Sequence, residues 1–137
     1  MNMASKLKRL AVLGSTGSIG RQTLEVVRAL PGRFRIVGLA AGKNLDLLAQ
    51  QVDEFRPRFA SFTVAGKAPT GCELITIEEM AALPDVDLVV IATAGTVSIG
   101  AVLAAAAAGK TIALANKESL VAAGGLVTAA VKKGGAR

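Results

Sequence analysis

Three glycines at intervals of three residues, in Gly14-Ser-Thr-Gly-Ser-Ile-Gly20, are the part of this chain best suited to hold a phosphate. They follow an apolar run ending at Leu13 and open a helix-like pattern of Ile19, Leu24, Val26, Val27 and Leu30. A strand, a glycine turn and a helix in that order make an anion-binding device, because the first helical N–H groups lack intrahelical partners and point at the turn. Gly14 turns the chain tightly off the strand, Gly17 lets the backbone approach a pyrophosphate, and Gly20 lets the helix pack close to the sheet. The spacing is G-x-x-G-x-x-G, not the commoner G-x-G-x-x-G, so the reading leans on the strand before and the helix after. A tight strand-to-helix connection without a ligand uses the same residues.

Three further clusters follow strand-like runs. In Leu39-Ala-Ala-Gly-Lys-Asn44 no carboxylate stands where NAD-preferring domains place one for the ribose 2′-hydroxyl. Lys43 supplies a positive charge, Asn44 amide donors, and Gly42 room for close approach. Asp46 falls in the first turn of the next helix. These residues favour NADP(H), the alternative being a solvated loop lysine. Ala92-Thr-Ala-Gly95 offers small residues beside a cofactor, or a helix entry capped by Thr96. In Ala115-Asn-Lys-Glu-Ser119, Asn116 and Glu118 suit either a helix N-terminus or a cofactor, and Lys117 an anionic or carbonyl substrate.

Other chemistry is excluded or unsupported. Without histidine, and with Cys72 as the only cysteine, the chain has no Cys/His zinc site, no Ser-His-Asp triad and no internal disulfide. Gly109-Lys-Thr111 ends like a phosphate-binding P-loop, but Ala104 stands where that motif needs glycine, and the segment runs from helix to strand. Asp85 and Asp87 precede a strand and mark a turn at the end away from the ligand crevice.

The elements that must position these residues alternate regularly. Apolar strand candidates are Lys8–Leu13, Arg35–Ala40, Phe59–Phe62, Leu88–Ala92 and Thr111–Ala115, with a short extra strand at Glu73–Ile75. Helix candidates are Ser18–Leu30, Leu45–Phe55, Ile77–Leu83, Val97–Ala108 and Glu118–Lys133. Thr76 and Glu79 form a capping-box pattern, and Gly109 a helix C-terminal glycine. Near-continuous apolar strands separated by amphipathic helices predict an α/β fold: a Rossmann-like, doubly wound, mainly parallel sheet flanked by helices on both faces.

At 137 residues the chain is about one domain, residues 1–137, and 52% hydrophobic content supports a real core. No apolar run is long enough to span a membrane and no signal peptide is recognisable; the single cysteine, Cys72, fits a reducing cytoplasm, the expected location. The net charge of +6 is scattered, and the absence of Trp and Tyr leaves few stacking platforms, so phosphorylated small molecules are expected as partners and nucleic acid is not.

On Leu13-Gly-Ser-Thr-Gly-Ser-Ile-Gly20, Ala41-Gly-Lys-Asn44 and Ala108-Gly-Lys-Thr-Ile-Ala-Leu-Ala-Asn-Lys-Glu-Ser-Leu-Val121, the chain resembles the 1-deoxy-D-xylulose 5-phosphate reductoisomerases, along the N-terminal dinucleotide-binding domain of that family. The resemblance implies an NADPH-dependent, cytoplasmic enzyme of non-mevalonate isoprenoid biosynthesis that makes 2-C-methyl-D-erythritol 4-phosphate from a sugar phosphate. It implies pyrophosphate contacts from Thr16, Gly17, Ser18 and Ile19, and 2′-phosphate contacts from Gly42, Lys43 and Asn44. Asn116 and Glu118 become cofactor contacts and Lys117 a substrate contact. It also implies a homodimeric parent enzyme whose catalytic and metal-binding parts, using Mg, Mn or Co, lie outside this domain. The 137 residues alone are then expected to hold the cofactor half without turnover. Alternatives are another NADP-dependent reductase domain, such as the semialdehyde dehydrogenase type with its catalytic cysteine, or a non-catalytic nucleotide-binding module.

Overall fold

A computed structural model describes residues 7–62, 71–93 and 99–114. Among these residues six strands form one sheet: β1 (Lys8–Leu13), β2 (Phe34–Ala40), β3 (Phe59–Ser61), β4 (Glu73–Leu74), β5 (Leu88–Ile91) and β6 (Thr111–Leu114). Their order is β4-β3-β2-β1-β5-β6, and every pairing is parallel. The helices are α1 (Ser18–Ala29), α2 (Leu45–Phe55), α3 (Ile77–Ala81) and α4 (Ile99–Ala107). The expected helix at 118–133 lies outside the described residues. Among those described, no helix is long and apolar enough to cross a membrane.

The sheet is buried on both faces, as its apolar strands require. On one face Leu24 and Val27 of α1 and Leu48 and Val52 of α2 pack on Leu10, Val12, Ile36 and Leu39. On the other, Met80 of α3 and Ala101, Val102 and Ala105 of α4 pack on Ala11, Leu13, Val37, Ala40, Val89 and Ile91. Strict alternation would not send Ile36 and Leu39 to the same face. A register shift does: Leu10 pairs with Ile36 but Ala11 with Gly38, leaving Val37 as the extra residue of a bulge. Gly38 then faces α3 so closely that an added Cβ would lie 2.7 Å from Met80 Sδ.

Local signals fix the helix ends. The Thr76–Glu79 capping box is present in both directions, Glu79 N donating to Thr76 Oγ1 at 3.0 Å and Thr76 N to Glu79 Oε1 at 2.9 Å. Gly32 and Gly109 have φ of 83° and 73°, the left-handed conformation that glycine supplies after a helix. Asp87 is a structural residue, as expected. It accepts from Arg9 N at 2.9 Å and takes the Arg9 guanidinium at 3.1 Å through both oxygens, tying β1 to the start of β5. Arg28 of α1 and Glu54 of α2 pair on the surface, and the guanidinium hydrogen bond holds the Glu54 carboxyl below its ordinary range. That contribution is present above the ordinary carboxylate pKa and lost as pH falls through the lowered one. With both side chains nearly half exposed, it amounts to at most about 1 kcal/mol.

Candidate functional site

The strand order reverses between β1 and β5. The chain leaves β1 toward the α1–α2 face, whereas α3 and α4 cover the other face. The two departures leave a crevice at the carboxyl ends of the strands, the place where open α/β sheets bind ligands. A cleft of about 510 Å³ occupies it. Its floor is Gly14, Thr16 and Gly17 after β1; one wall is Ala40 to Asn44 after β2; the other is Ala92 and Thr93 after β5, with Ile77 of α3. A second cavity of about 500 Å³ lies at the amino ends of β1, β5 and β6, around Lys8, Asp87 and Lys110. Its glycine, Gly109, follows the carboxyl end of α4, and no helix N-terminus is among its lining residues, so the carboxyl-end cleft is the better ligand site for an anion.

The turn is clamped from three sides. Gly14 N and Ser15 N both donate to Ala40 O at 2.8 Å, Ala92 N donates to Leu13 O at 2.7 Å, and Gln51 Nε2 donates to Ser15 O at 2.9 Å. Gly14 has φ of 91°, and a Cβ there would lie 2.7 Å from the Ala92 carbonyl. At Gly20 a Cβ would sit 2.0 Å from Gly14 O. The closest approach of α1 is thus to the turn itself. Gly17 is different. Its φ and ψ of −80° and 176° suit any residue, and a Cβ would make only an ordinary 3.6 Å contact with Gly14 O. An added Cβ at Gly42 meets nothing within 4 Å. The fold itself requires glycine at Gly14 and Gly20; at Gly17 and Gly42 the missing side chain leaves open space facing the cleft. That space, at an α1 N-terminus with neither a side-chain cap nor an acidic residue in its first turn, fits an anionic group.

Of the residues singled out in the sequence, Thr16 and Gly17 line the cleft, and Ser18 and Ile19 form the exposed first turn of α1. Gly42, Lys43 and Asn44 are exposed along the wall after β2. Asn44 has a second task, since its Oδ1 accepts from Leu47 N at 3.0 Å and caps α2. The cap turns the amide oxygen to the helix and leaves the NH2 end as the donor. Asp46 sits in the first turn of α2, as expected. Asn116, Lys117 and Glu118 lie outside the described residues, as do Gly95 and Thr96. Sequence reasoning missed Ile77 and Gln51. Gln51 interrupts the buried stripe of Leu48 and Val52 on α2, and a polar residue in such a stripe is the signal that marks it.

Cys72 stands just before β4, packed against the α1–α2 core and remote from the cleft. Burial pushes its thiol above the ordinary cysteine range, the wrong direction for a nucleophile. Iodoacetamide at pH 8 is expected to alkylate Cys72 more slowly than glutathione, by mass spectrometry of timed aliquots. Faster alkylation would restore the catalytic-cysteine alternative.

The family profile of 1-deoxy-D-xylulose 5-phosphate reductoisomerase matches residues 10–75 and 70–124, which includes both strand-end loops and the run through Asn116, Lys117 and Glu118. The chain belongs to the reductoisomerase family. The reductoisomerase of Moorella thermoacetica is 52% identical over 132 residues, covering 88% of this chain and 34% of that protein. A crystal structure of a reductoisomerase with NADPH, fosmidomycin and magnesium superposes with a TM-score of 0.87 at 38% identity, over 95% of this chain and 35% of that one. The Zymomonas mobilis reductoisomerase, solved with NADPH, gives 0.85 at 33% identity, over 96% and 38%. The chain therefore spans about a third of the length of its reductoisomerase relatives.

Proposed function

We propose that this chain is the NADPH-binding domain of a 1-deoxy-D-xylulose 5-phosphate reductoisomerase, whose whole enzyme rearranges that sugar phosphate and reduces it to 2-C-methyl-D-erythritol 4-phosphate. The observation that carries the reading is the cleft at the strand-order switch, where Gly17 lacks a side chain that the fold would accommodate. Thr16, Gly17, Ser18 and Ile19 are assigned to the pyrophosphate, which the N–H groups and positive end of α1 would hold. Gly42, Lys43 and the Asn44 amide are assigned to the 2′-phosphate. Asn116 and Glu118 are assigned to the cofactor and Lys117 to the substrate. NADPH supplies the hydride; the chain's part is to bind and orient it. Among the described residues no three His, Cys, Asp or Glu side chains gather to hold a metal. The divalent ion, Mg, Mn or Co, is assigned, on the family resemblance, to other parts of a homodimeric, cytoplasmic parent enzyme.

Cofactor choice tests the reading. NADPH should bind about tenfold or more tightly than NADH, since a hydrogen bond to a charged group contributes about 1.5–3 kcal/mol. Lys43→Ala should remove most of that difference by weakening NADPH and sparing NADH. Raising salt should shrink it too, because Lys43 is exposed. Calorimetric titration with both cofactors measures it. Equal affinities in the unaltered chain, or an undiminished preference in Lys43→Ala, would refute the assignment of Lys43.

A further inference from the structure

We propose that Gln51 is a positioning residue for the dinucleotide, fixing the glycine turn from α2 by holding the Ser15 carbonyl. The inference rests on the cofactor reading above. Gln51 is 3% exposed and Ser15 fully buried, and their contact joins residues 36 apart in sequence. Ser15 O lies before the N-cap Gly17, outside the hydrogen-bond ladder of α1. Held inward by Gln51, Ser15 leaves Thr16 and Gly17 turned to the cleft. Gln51 is a polar residue in an otherwise apolar buried stripe. Its Oε1 is buried without a hydrogen bond and carries a desolvation cost; a leucine in the same stripe would avoid that cost but leave the Ser15 carbonyl unpaired, so the amide serves the carbonyl that its Nε2 holds. Polar groups kept in a core against that cost belong to sites that must hold a shape. The helix also links the two ends of the cleft. Asn44 caps α2, and Gln51 follows about 10 Å further along the axis, so one rigid element carries both the 2′-phosphate wall and the anchor of the pyrophosphate turn.

The pyrophosphate is common to NADPH and NADH, so the loss should fall on both equally. Gln51→Leu keeps the volume and removes the donor; Gln51→Met, unbranched and of similar length, is the second variant should leucine pack badly. Val52→Ala, one residue along and equally buried, lowers stability without touching the turn. NADPH and NADH titrations are run on all four proteins at a temperature where each is folded by circular dichroism. Hydrogen exchange of the amides at 16–19 is followed without cofactor. Gln51→Leu or Gln51→Met is expected to weaken both cofactors by about tenfold, with their ratio preserved and those amides exchanging faster, while Val52→Ala stays within about twofold of the unaltered chain. Unaltered affinity in the Gln51 variants, or an equal loss in Val52→Ala, overturns the positioning role and leaves the cofactor reading standing. An unaltered chain that binds neither cofactor overturns the cofactor reading itself, and this inference with it.

Discussion

Gly20→Ala is expected to lower the melting temperature by about 15 °C or more, or to prevent folding. The added methyl would lie 2.0 Å from Gly14 O and 2.7 Å from Ser15 Cα. Both are backbone atoms, so no side chain can swing aside. Relief requires α1 to move off the turn, or the turn to leave the Ala40 carbonyl that holds Gly14 N and Ser15 N. Either route disturbs the packing of Leu24 and Val27 on Leu10 and Val12. Alanine is the better helix former by about 1 kcal/mol, which offsets only a small part of that. A net loss of about 4 kcal/mol belongs to the exceptional tail for single substitutions. At this chain length it corresponds to the stated shift, against a total stability of about 5–15 kcal/mol. Thermal and urea unfolding followed by circular dichroism give the answer. A Gly20→Ala protein melting within about 3 °C of the original would mean that α1 does not sit on the turn as described.

The companion substitution should act in the opposite way. Gly17→Val is expected to leave the fold intact and to weaken NADPH binding by about a hundredfold or more, which corresponds to about 2.7 kcal/mol. Valine tolerates the extended conformation of Gly17, and its Cβ meets the protein only at 3.6 Å. The stability cost is that of a poor N-cap, about 1 kcal/mol. Its branched atoms, however, fill the space assigned to the pyrophosphate. Circular dichroism and NADPH titration on one sample separate the two effects. A folded Gly17→Val protein with undiminished affinity would show that the dinucleotide does not pass over this turn.

The two glycines also mark how far the sequence could be read. Strand-turn-helix order, the Thr76–Glu79 capping box and the Gly109 terminus are local, and local spacing encodes them; the structure reproduces each. The expectation that Gly20 serves close packing was right in kind, but its partner is the turn backbone, a contact that only the folded helix creates. Element ends moved where packing decided them: α3 stops at Ala81 rather than Leu83, and β3 at Ser61 rather than Phe62. The Val37 bulge has no signature in a run of apolar residues, because a shift of face there exchanges one buried side chain for another. Gln51 stands out as a polar residue in an apolar stripe, but its task does not. Its partner is a backbone carbonyl distant in sequence, and carbonyls leave no mark in a residue string.

The sheet order carries a kinetic consequence. Residue 8 pairs with residue 34, but residue 10 also pairs with residue 88, so the two neighbours of β1 are reached by loops of very different length. Closing the longer loop costs about 1 kcal/mol more entropy before any contact repays it. A wholly parallel sheet offers no hairpin from which to start. Pairing between β1 and β2, with α1 laid over them, can form early; β5 must be recruited across most of the described chain. Refolding is therefore expected to wait on the arrival of β5, with the wall formed by Ala92 and Thr93 completed late; a buried truncation in β5, such as Val89→Ala, should slow refolding in stopped-flow experiments more than one in α2. On that order a folding molecule would present the glycine turn before it presents a closed cleft.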